Sequence, residues 1–310
     1  MTSRCAPRIL VTGSGGQLGT ALQRQPLPEG PAQLHFASHA ELDIGRTDAL
    51  GLWLDKHPAD VLINAAAFTA VDQAETDTEQ AMRINGTAAG TLAAECARRG
   101  IRLIHVSTDY VFDGRKEGLY TEDDTPCPIN AYGRSKLAGE ARVRHAARTA
   151  IIVRTGWVFS PWGRNFLTGM LAAGARARTV SVVSDESGCP TYAPHLARTL
   201  LRLAQRSPQD MPGGIYHFAG APATTRDRFA EAIFTEAHRL GLLAHVPVVQ
   251  PISGTQWAAA AHRPRNSGLD ASRLAALLGP LDRDWHEGLR DALADLRDAK
   301  LPQGPLVHGL

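Results

Sequence analysis

Tyr132 and Lys136 stand four residues apart in the run AYGRSK, and on an α-helix two such side chains share one face, one turn apart. A phenol with a pKa near ~10 is a poor proton donor or acceptor at neutral pH, and a neighbouring ammonium stabilises the phenolate and pulls that value down. The spacing therefore predicts an acid/base pair. Chance supplies few of them: with five tyrosines and four lysines (Lys56, Lys116, Lys136 and Lys300), roughly 5 × 4/310, about 0.06, accidental pairs are expected at this spacing. The structural alternative is a tyrosine on the inner face of a helix with a lysine snorkelling past it. Chemistry is favoured by the segment upstream, where His105, Val106, Ser107, Thr108, Asp109 and Tyr110 read as an apolar strand ending in hydroxyls.

The elements that must position the pair read as alternating strands and helices. Arg8 to Val11 is a short buried-strand run, followed by Gly13, Gly16 and Gly19 and a helical stretch from Thr20 to Arg24. In such a turn the first glycine permits the bend, the second lets the backbone approach a pyrophosphate, and the third allows close packing. The following helix N-terminus offers free N–H groups to phosphate; the competing reading is a plain strand-to-helix turn. Further strands are expected at Gln33 to Ala37, Asp60 to Ile63, Arg102 to Val106 and Ala150 to Val153, with a long helix from Thr78 to Arg99 ending at Gly100. This alternation predicts an α/β fold, a Rossmann-type doubly wound parallel sheet with right-handed crossovers. Ligands of such sheets bind beyond the carboxyl ends of the strands, where Asn64 to Thr69 and Ser107 to Tyr110 fall.

The second half reads as a smaller substrate-binding part interleaved with the sheet. Helices are expected at Gly163 to Ala177, Ala193 to Gln205, Arg226 to Leu240 and Arg283 to Ala299, with a returning strand at Ile215 to Phe218 and a frayed tail from Pro302. The division is drawn as 1–155 for dinucleotide binding and 156–310 mainly for substrate, with segments around 178–220 returning to the sheet.

Composition bounds the partners. A net charge of +2 gives no electrostatic footprint for nucleic acid, and the 29 arginines (33 basic residues less four lysines) are scattered. Cys5, Cys96, Cys127 and Cys189 form no CxxC pair, which argues against structural zinc or a disulfide framework. No apolar run approaches the ~18 residues of a membrane span, and no signal-peptide core is evident. A cytoplasmic protein without metal, membrane or nucleic-acid partners is expected. His35 and His39 fall in a strand and a loop, which disfavours a metal site there.

The glycine turn, Asn64 with Ala65 to Ala67, Asn85, and Thr108 with Tyr132 and Lys136 resemble the extended short-chain dehydrogenases/reductases. The segments AAFTAVDQAE (66–75), VSTDYVFDG (106–114), RTGWVF (154–159), Asn165 with Phe166, GCPT (188–191), GIYHFAG (214–220) and RPRNSGLD (263–270) narrow the resemblance to the dTDP-4-dehydrorhamnose reductase family, over Ile9 to about Leu296. That resemblance implies reduction of the 4-keto group of a small-molecule nucleotide-sugar substrate by NADPH or NADH. It implies Tyr132 as proton donor, Lys136 on the nicotinamide ribose, and Thr108 on the keto oxygen. Asp109, Tyr110 and Trp157 would contact the sugar nucleotide. Gly13, Gly16, Gln17, Leu18 and Gly19 would hold the pyrophosphate, Asp43 and Ile44 the adenine, and Ala67, Phe68 and Thr69 the ribose and nicotinamide. Each carries a plainer alternative: Asp43 as an N-cap, Trp157 as a core aromatic, and Asn85 as a residue that shapes its helix and orders water near Lys136.

Departures from the family pattern are visible. Ser38 and His39 stand where an arginine is common, and no acid ends the second strand, so nicotinamide preference stays open. Some members dimerise through magnesium held by glutamates, one in the first helix; Ala21 stands there, so a monomer or weak homodimer without a bridging metal is expected. Glu186 replaces a common glutamine, and Arg226 with Asp227 replaces an aromatic pair, which alters the substrate rim. The alternatives are another nucleotide-sugar reductase or epimerase, or a non-catalytic regulatory subunit resembling that of methionine adenosyltransferase. Tyr110 stands where dehydratases place a glutamate.

Overall fold

The structure, a computed structural model, describes residues 6–27 and 30–299; the tail expected from Pro302 lies outside them. Six parallel strands form the central sheet: β1 (Arg8–Thr12), β2 (Gln33–Ala37), β3 (Val61–Asn64), β4 (Arg102–Thr108), β5 (Ile151–Thr155) and the strand Gly214–His217. Their spatial order is Gly214–His217, β5, β4, β3, β1, β2, with every neighbouring pair parallel. Strands covered by helices on both faces read as continuous apolar runs, and every residue of β3 and β5 is buried.

Alternate side chains feed two cores. Ile9, Val11, Ile63, Ile104, Ile151 and Val153 pack against Ala21 and Leu22 of α1 (Gln17–Arg24) and against Leu196, Leu200 and Leu203 of the helix Ala193–Gln205. Leu10, Leu62, Leu103 and Ile152 face the other way, onto Leu50, Leu54, Leu92, Cys96 and Val143. A third core belongs to the second half. In it Phe159, Leu167, Leu171, Phe229, Phe234, Trp285 and Leu289 join the helices Phe166–Arg176, Arg226–Arg239 and Trp285–Asp298. Of residues 178–220, Gly214–His217 joins the central sheet and Ala193–Gln205 packs on it, whereas Thr179–Val183 pairs with Val248–Ile252 away from it.

Three elements differ from the sequence reading. The first helix begins at Gln17, not Thr20, so Gln17 and Leu18 lie in its first turn. The long helix expected from Thr78 to Arg99 runs as Thr78–Ala81, a π-turn over Met82–Ala88, and Ala89–Arg98; such turns are wider than an α-helix and concentrate at functional sites. The helix expected from Gly163 starts at Phe166, because Asn165 caps it: its side chain accepts from Thr168 N (3.2 Å) while the Thr168 hydroxyl accepts from Asn165 N (3.1 Å). Among the described residues no helix is long and apolar enough to cross a membrane.

Candidate active site

The helix Ala131–Ala146 carries the pair. Asn130 caps it by accepting from Gly133 N (2.7 Å), and a side chain at Gly133 would collide with the Tyr110 carbonyl. The helix start is thereby seated on the end of β4. Tyr132 meets Tyr110 edge to face, with ring centroids 6.0 Å apart at 77°. One turn on, the buried Lys136 Nζ donates to Val106 O (2.7 Å). Another turn on, Glu140 accepts from Ser107 Oγ (2.6 Å) and receives a bidentate contact from Arg154 (2.9 and 2.7 Å), the whole group buried. One helix face thus presents a phenol, an ammonium and a paired carboxylate.

These side chains open onto a cavity of about 850 Å³ beyond the carboxyl ends of β1, β3 and β4. Gly13, Gly16, Gln17, Leu18, Asp43, Ile44, Ala67, Phe68 and Thr69 line it together with Thr108, Asp109, Tyr110, Tyr132, Lys136 and Trp157. Gly19 does not. A side chain there would collide with Gly13 O and Ser14, so Gly19 lets the helix pack against its own turn. Gly13 sits at φ +71°, and a Cβ there would come within 2.7 Å of Ala66 N, which only glycine tolerates. A Cβ at Gly15 would meet nothing within 4 Å, and one at Gly16 nothing nearer than 3.5 Å, so the turn leaves bare backbone facing the cavity. That is a shape a pyrophosphate fits.

Polar side chains hold the walls. Asn64 accepts from Thr12 Oγ1 (2.7 Å) and Ala66 N (3.2 Å), fixing the alanine loop to β1. Asn85, in the π-turn, accepts from Phe68 N (2.9 Å), and its amide donates to Phe68 O (2.9 Å) and Ser135 Oγ (3.0 Å). It joins the cavity wall to the Tyr132 helix through protein atoms. Gln17 Oε1 accepts from Ser160 Oγ and Asn165 Nδ2, both 2.9 Å, tying the glycine turn to the second half. Asp43 caps no helix: it accepts from Gly45 N (2.8 Å), and the next helix, Leu50–Lys56, begins after Ala49.

The electrostatics correct one expectation. Lys136 does not depress the phenol: burial drives Tyr132 above the ordinary tyrosine range, opposed only by the Thr108 hydroxyl. Lys136 Nζ donates to the Val106 carbonyl instead. Raised in this way the phenol is a weaker acid than a free tyrosine, and it gives up its proton only to a group as basic as the alkoxide that hydride transfer creates. Burial also lowers Lys136 to about 8, countered by Glu140, and raises Asp109 to about 6. Asp109 Oδ1 accepts from Thr108 Oγ1 (3.0 Å), the Ser267 and Thr108 hydroxyls oppose the effect of burial on the carboxyl, and the carboxylate lies so close to Gly156 that any side chain there would collide with it. Trp157 is the only non-glycine residue at positive φ (49°) among those described, a strain that functional sites tend to store.

Two features escaped the sequence reading. The Glu140–Arg154 pair joins residues fourteen apart on a helix and a strand, with no local signal. A second cavity of about 770 Å³, lined by Asn165, Phe166, Arg176, Glu186, Trp257 and Arg263 among others, meets the first at Val71, Tyr110 and Arg226. Ala21 is fully buried in the core beside Leu22. Among the described residues no three metal-ligating side chains are grouped.

A bare glycine turn and a Tyr–Lys helix facing one crevice of a parallel sheet define a dinucleotide-binding α/β fold with acid/base groups at its mouth. The family described as RmlD substrate binding domain matches residues 7–298, and the chain belongs to it. Among similar proteins, a dTDP-4-dehydrorhamnose reductase of Aggregatibacter actinomycetemcomitans is 37% identical over 93% of this chain and 98% of its own length. A probable dTDP-4,6-dihydroxy-2-methyloxan-3-one 4-ketoreductase of Streptomyces antibioticus is 37% identical over 97% of this chain and 90% of its own. The crystal structure of a dTDP-4-dehydrorhamnose reductase from Bacillus anthracis in complex with NADP superposes with a TM-score of 0.85 at 33% identity, covering 94% of this chain and all of that one.

Proposed function

We propose that the chain reduces the 4-keto group of dTDP-4-dehydro-L-rhamnose to give dTDP-L-rhamnose, using NADPH or NADH. The observation that carries the reading is the placing of Thr108, Tyr132 and Lys136 on the wall of the same cavity as the glycine turn. Reduced nicotinamide, when bound, supplies the hydride. Gly13, Gly16, Gln17 and Leu18 cradle its pyrophosphate, Asp43 and Ile44 flank the adenine, and Ala67, Phe68 and Thr69 line the path to the nicotinamide. Lys136 turns from Val106 O to the ribose hydroxyls.

Charge develops on the sugar O4 as the ketone is reduced, so donors must aim there. Thr108 Oγ1 and Tyr132 Oη both do so in this reading. The phenol passes its proton to the alkoxide oxygen and is left as phenolate, which the Lys136 ammonium then stabilises. Tyr110 and Trp157 bound the sugar; the single Thr108 hydroxyl proton, which Asp109 Oδ1 accepts in the free protein, turns to O4 when substrate enters. The dinucleotide part spans 1–155 and the remainder mainly binds substrate. The chain acts as a cytoplasmic monomer or weak homodimer with no metal at its interface. An unchanged elution volume on sizing with and without magnesium is the expected result.

The test is to mix protein, dTDP-4-keto-6-deoxyglucose, its 3,5-epimerase and NADPH or NADH, and to follow loss of reduced-cofactor absorbance. Tyr132→Phe removes the acid, a group worth about 10²- to 10⁴-fold; a rate within threefold of the parent rejects the proposed donor. The second reading is a 4-ketoreductase of a different dTDP-sugar, favoured by the equally similar Streptomyces antibioticus protein. Turnover of a keto sugar lacking the rhamnose configuration, and not of the epimerised one, would decide for it.

A further inference from the structure

We propose that Arg226 is the specificity residue that reads the diphosphate of the sugar nucleotide, exchanging the Glu186 carboxylate for phosphate oxygens when substrate enters. This rests on the proposed sugar-nucleotide reduction and concerns how that substrate is selected. Three residues line both cavities, Val71, Tyr110 and Arg226, and Arg226 is the only charged one. A ketone held at Tyr132 in the first cavity places the base in the second, since the dinucleotide takes the rest of the first. The linker between sugar and base is a diphosphate, and it crosses the neck where Arg226 sits.

The neck is built for one planar cation. The Arg226 guanidinium lies 4.0 Å over the Trp157 ring and 5.5 Å from that of Phe166. Trp157 is itself fixed, since a side chain at Gly188 would strike its indole. Stacking orients the fork while leaving its N–H edge free to bond in plane, the arrangement that suits phosphate better than a lysine would. That edge now carries Nε on Glu186 Oε2 (2.8 Å), with side-chain exposures of 17% and 10%, and Nη2 3.5 Å from the Tyr110 hydroxyl. Exchange leaves the mostly buried Glu186 carboxylate without its partner, a cost that the more highly charged diphosphate offsets and that removal of the carboxylate would relieve. An uncharged nucleoside has nothing to offer in exchange.

The test uses the full chain and three probes that differ only in phosphate number: thymidine, dTMP and dTDP, titrated by calorimetry in the presence of NADPH. For the parent, dTDP binds far more tightly than thymidine. Arg226→Gln lowers dTDP affinity about 10- to 100-fold, the range of a hydrogen bond between charged groups, and leaves thymidine affinity within twofold. Arg226→Lys recovers only part of the loss. Glu186→Gln, which removes the competing anion, strengthens dTDP binding severalfold. Equal losses for thymidine and dTDP in Arg226→Gln, or an unchanged dTDP affinity, overturn the proposal, as does a Glu186→Gln variant that binds dTDP more weakly. Turnover of the keto sugar by the parent is measured alongside. A parent that fails to reduce it while Arg226→Gln still selectively loses dTDP refutes the reaction and keeps the diphosphate reader. A parent that reduces it with phosphate discrimination unmoved refutes the reader alone.

Discussion

Replacing Lys136 by methionine separates what that residue does for the fold from what it does for the reaction. The side chain is 2% exposed, and burial holds its pKa at about 8 against an ordinary 10.5. A displacement of that size corresponds to about 3 kcal/mol spent on keeping the ammonium charged inside the protein. Methionine keeps most of the volume and removes the charge, but it strips the Val106 carbonyl of its 2.7 Å partner, a loss of about 1–3 kcal/mol for a buried acceptor. The variant should therefore be as stable as the parent at pH 7 or up to about 2 kcal/mol more so, measured by urea unfolding. The sign has a pH signature. Because the folded pKa lies below the unfolded one, the parent carries the burden below about pH 8 and sheds it as pH rises to 10.5, so over that window the variant's advantage gives way to a deficit of about 1–3 kcal/mol from the unpartnered Val106 carbonyl. Turnover should meanwhile fall at least about 100-fold, since the phenolate loses its counter-charge. In the parent, the rate should decline as pH climbs through about 8, where Lys136 gives up its proton. A methionine variant destabilised by more than 1 kcal/mol at pH 7 would show that the ammonium is a structural strut and would refute this reasoning.

Further outcomes follow from the same geometry. Glu140→Ala leaves the buried Arg154 without a counter-ion and should cost about 3–5 kcal/mol in urea unfolding; a loss below 1 kcal/mol would mean that water reaches the pair. Gly13→Ala, at φ +71° with Ala66 N 2.7 Å from the added Cβ, should weaken NADPH binding at least tenfold by fluorescence titration. Gly15→Ala, whose Cβ meets nothing within 4 Å, should change it less than threefold while the dinucleotide is accommodated by backbone alone. Asn85→Ala removes both partners of the Phe68 backbone and should raise the KM for NADPH more than tenfold. An unchanged KM would show that the π-turn holds Phe68 by itself.

The sheet and its crevice were legible because they rest on periodicities and on backbone conformations that few residues permit. β2 and the helix Ala193–Gln205 fall where apolar spacing puts them, and Gly13 announces a turn no side chain could enter. Helix starts were less legible, since they depend on which side chain reaches the free N–H groups. Gln17–Arg24 has no side-chain cap at all, so nothing in its sequence distinguished Gln17 from the loop. The π-turn was hidden for a related reason: Gly86 and Thr87 beside Asn85 weaken a helix without specifying a π-turn, and the partners that hold Asn85 there, Phe68 and Ser135, lie 17 and 50 positions away.

The electrostatics of the site were the least legible part, and the reason is general to buried pairs. Spacing placed Lys136 beside Tyr132 but said nothing about what else the ammonium would bond. The fold gave Nζ to the Val106 carbonyl and a paired Glu140 to its far side, leaving burial to dominate the phenol. A tyrosine poised to accept a proton and one poised to donate it differ only in that choice. This one stays protonated until hydride transfer creates an oxyanion beside it, so reduction starts from the form that dominates at neutral pH. Oxidation runs the same path backwards, with Lys136 turned into the cavity in both directions, and must start from the scarce phenolate. Running both directions with the parent tests this: the rate of keto-sugar reduction should vary little between pH 6 and pH 8, while alcohol oxidation, which needs the phenolate, should rise about tenfold per pH unit over the same interval. A flat oxidation profile would mean that the phenol is already ionised, against the burial that surrounds it.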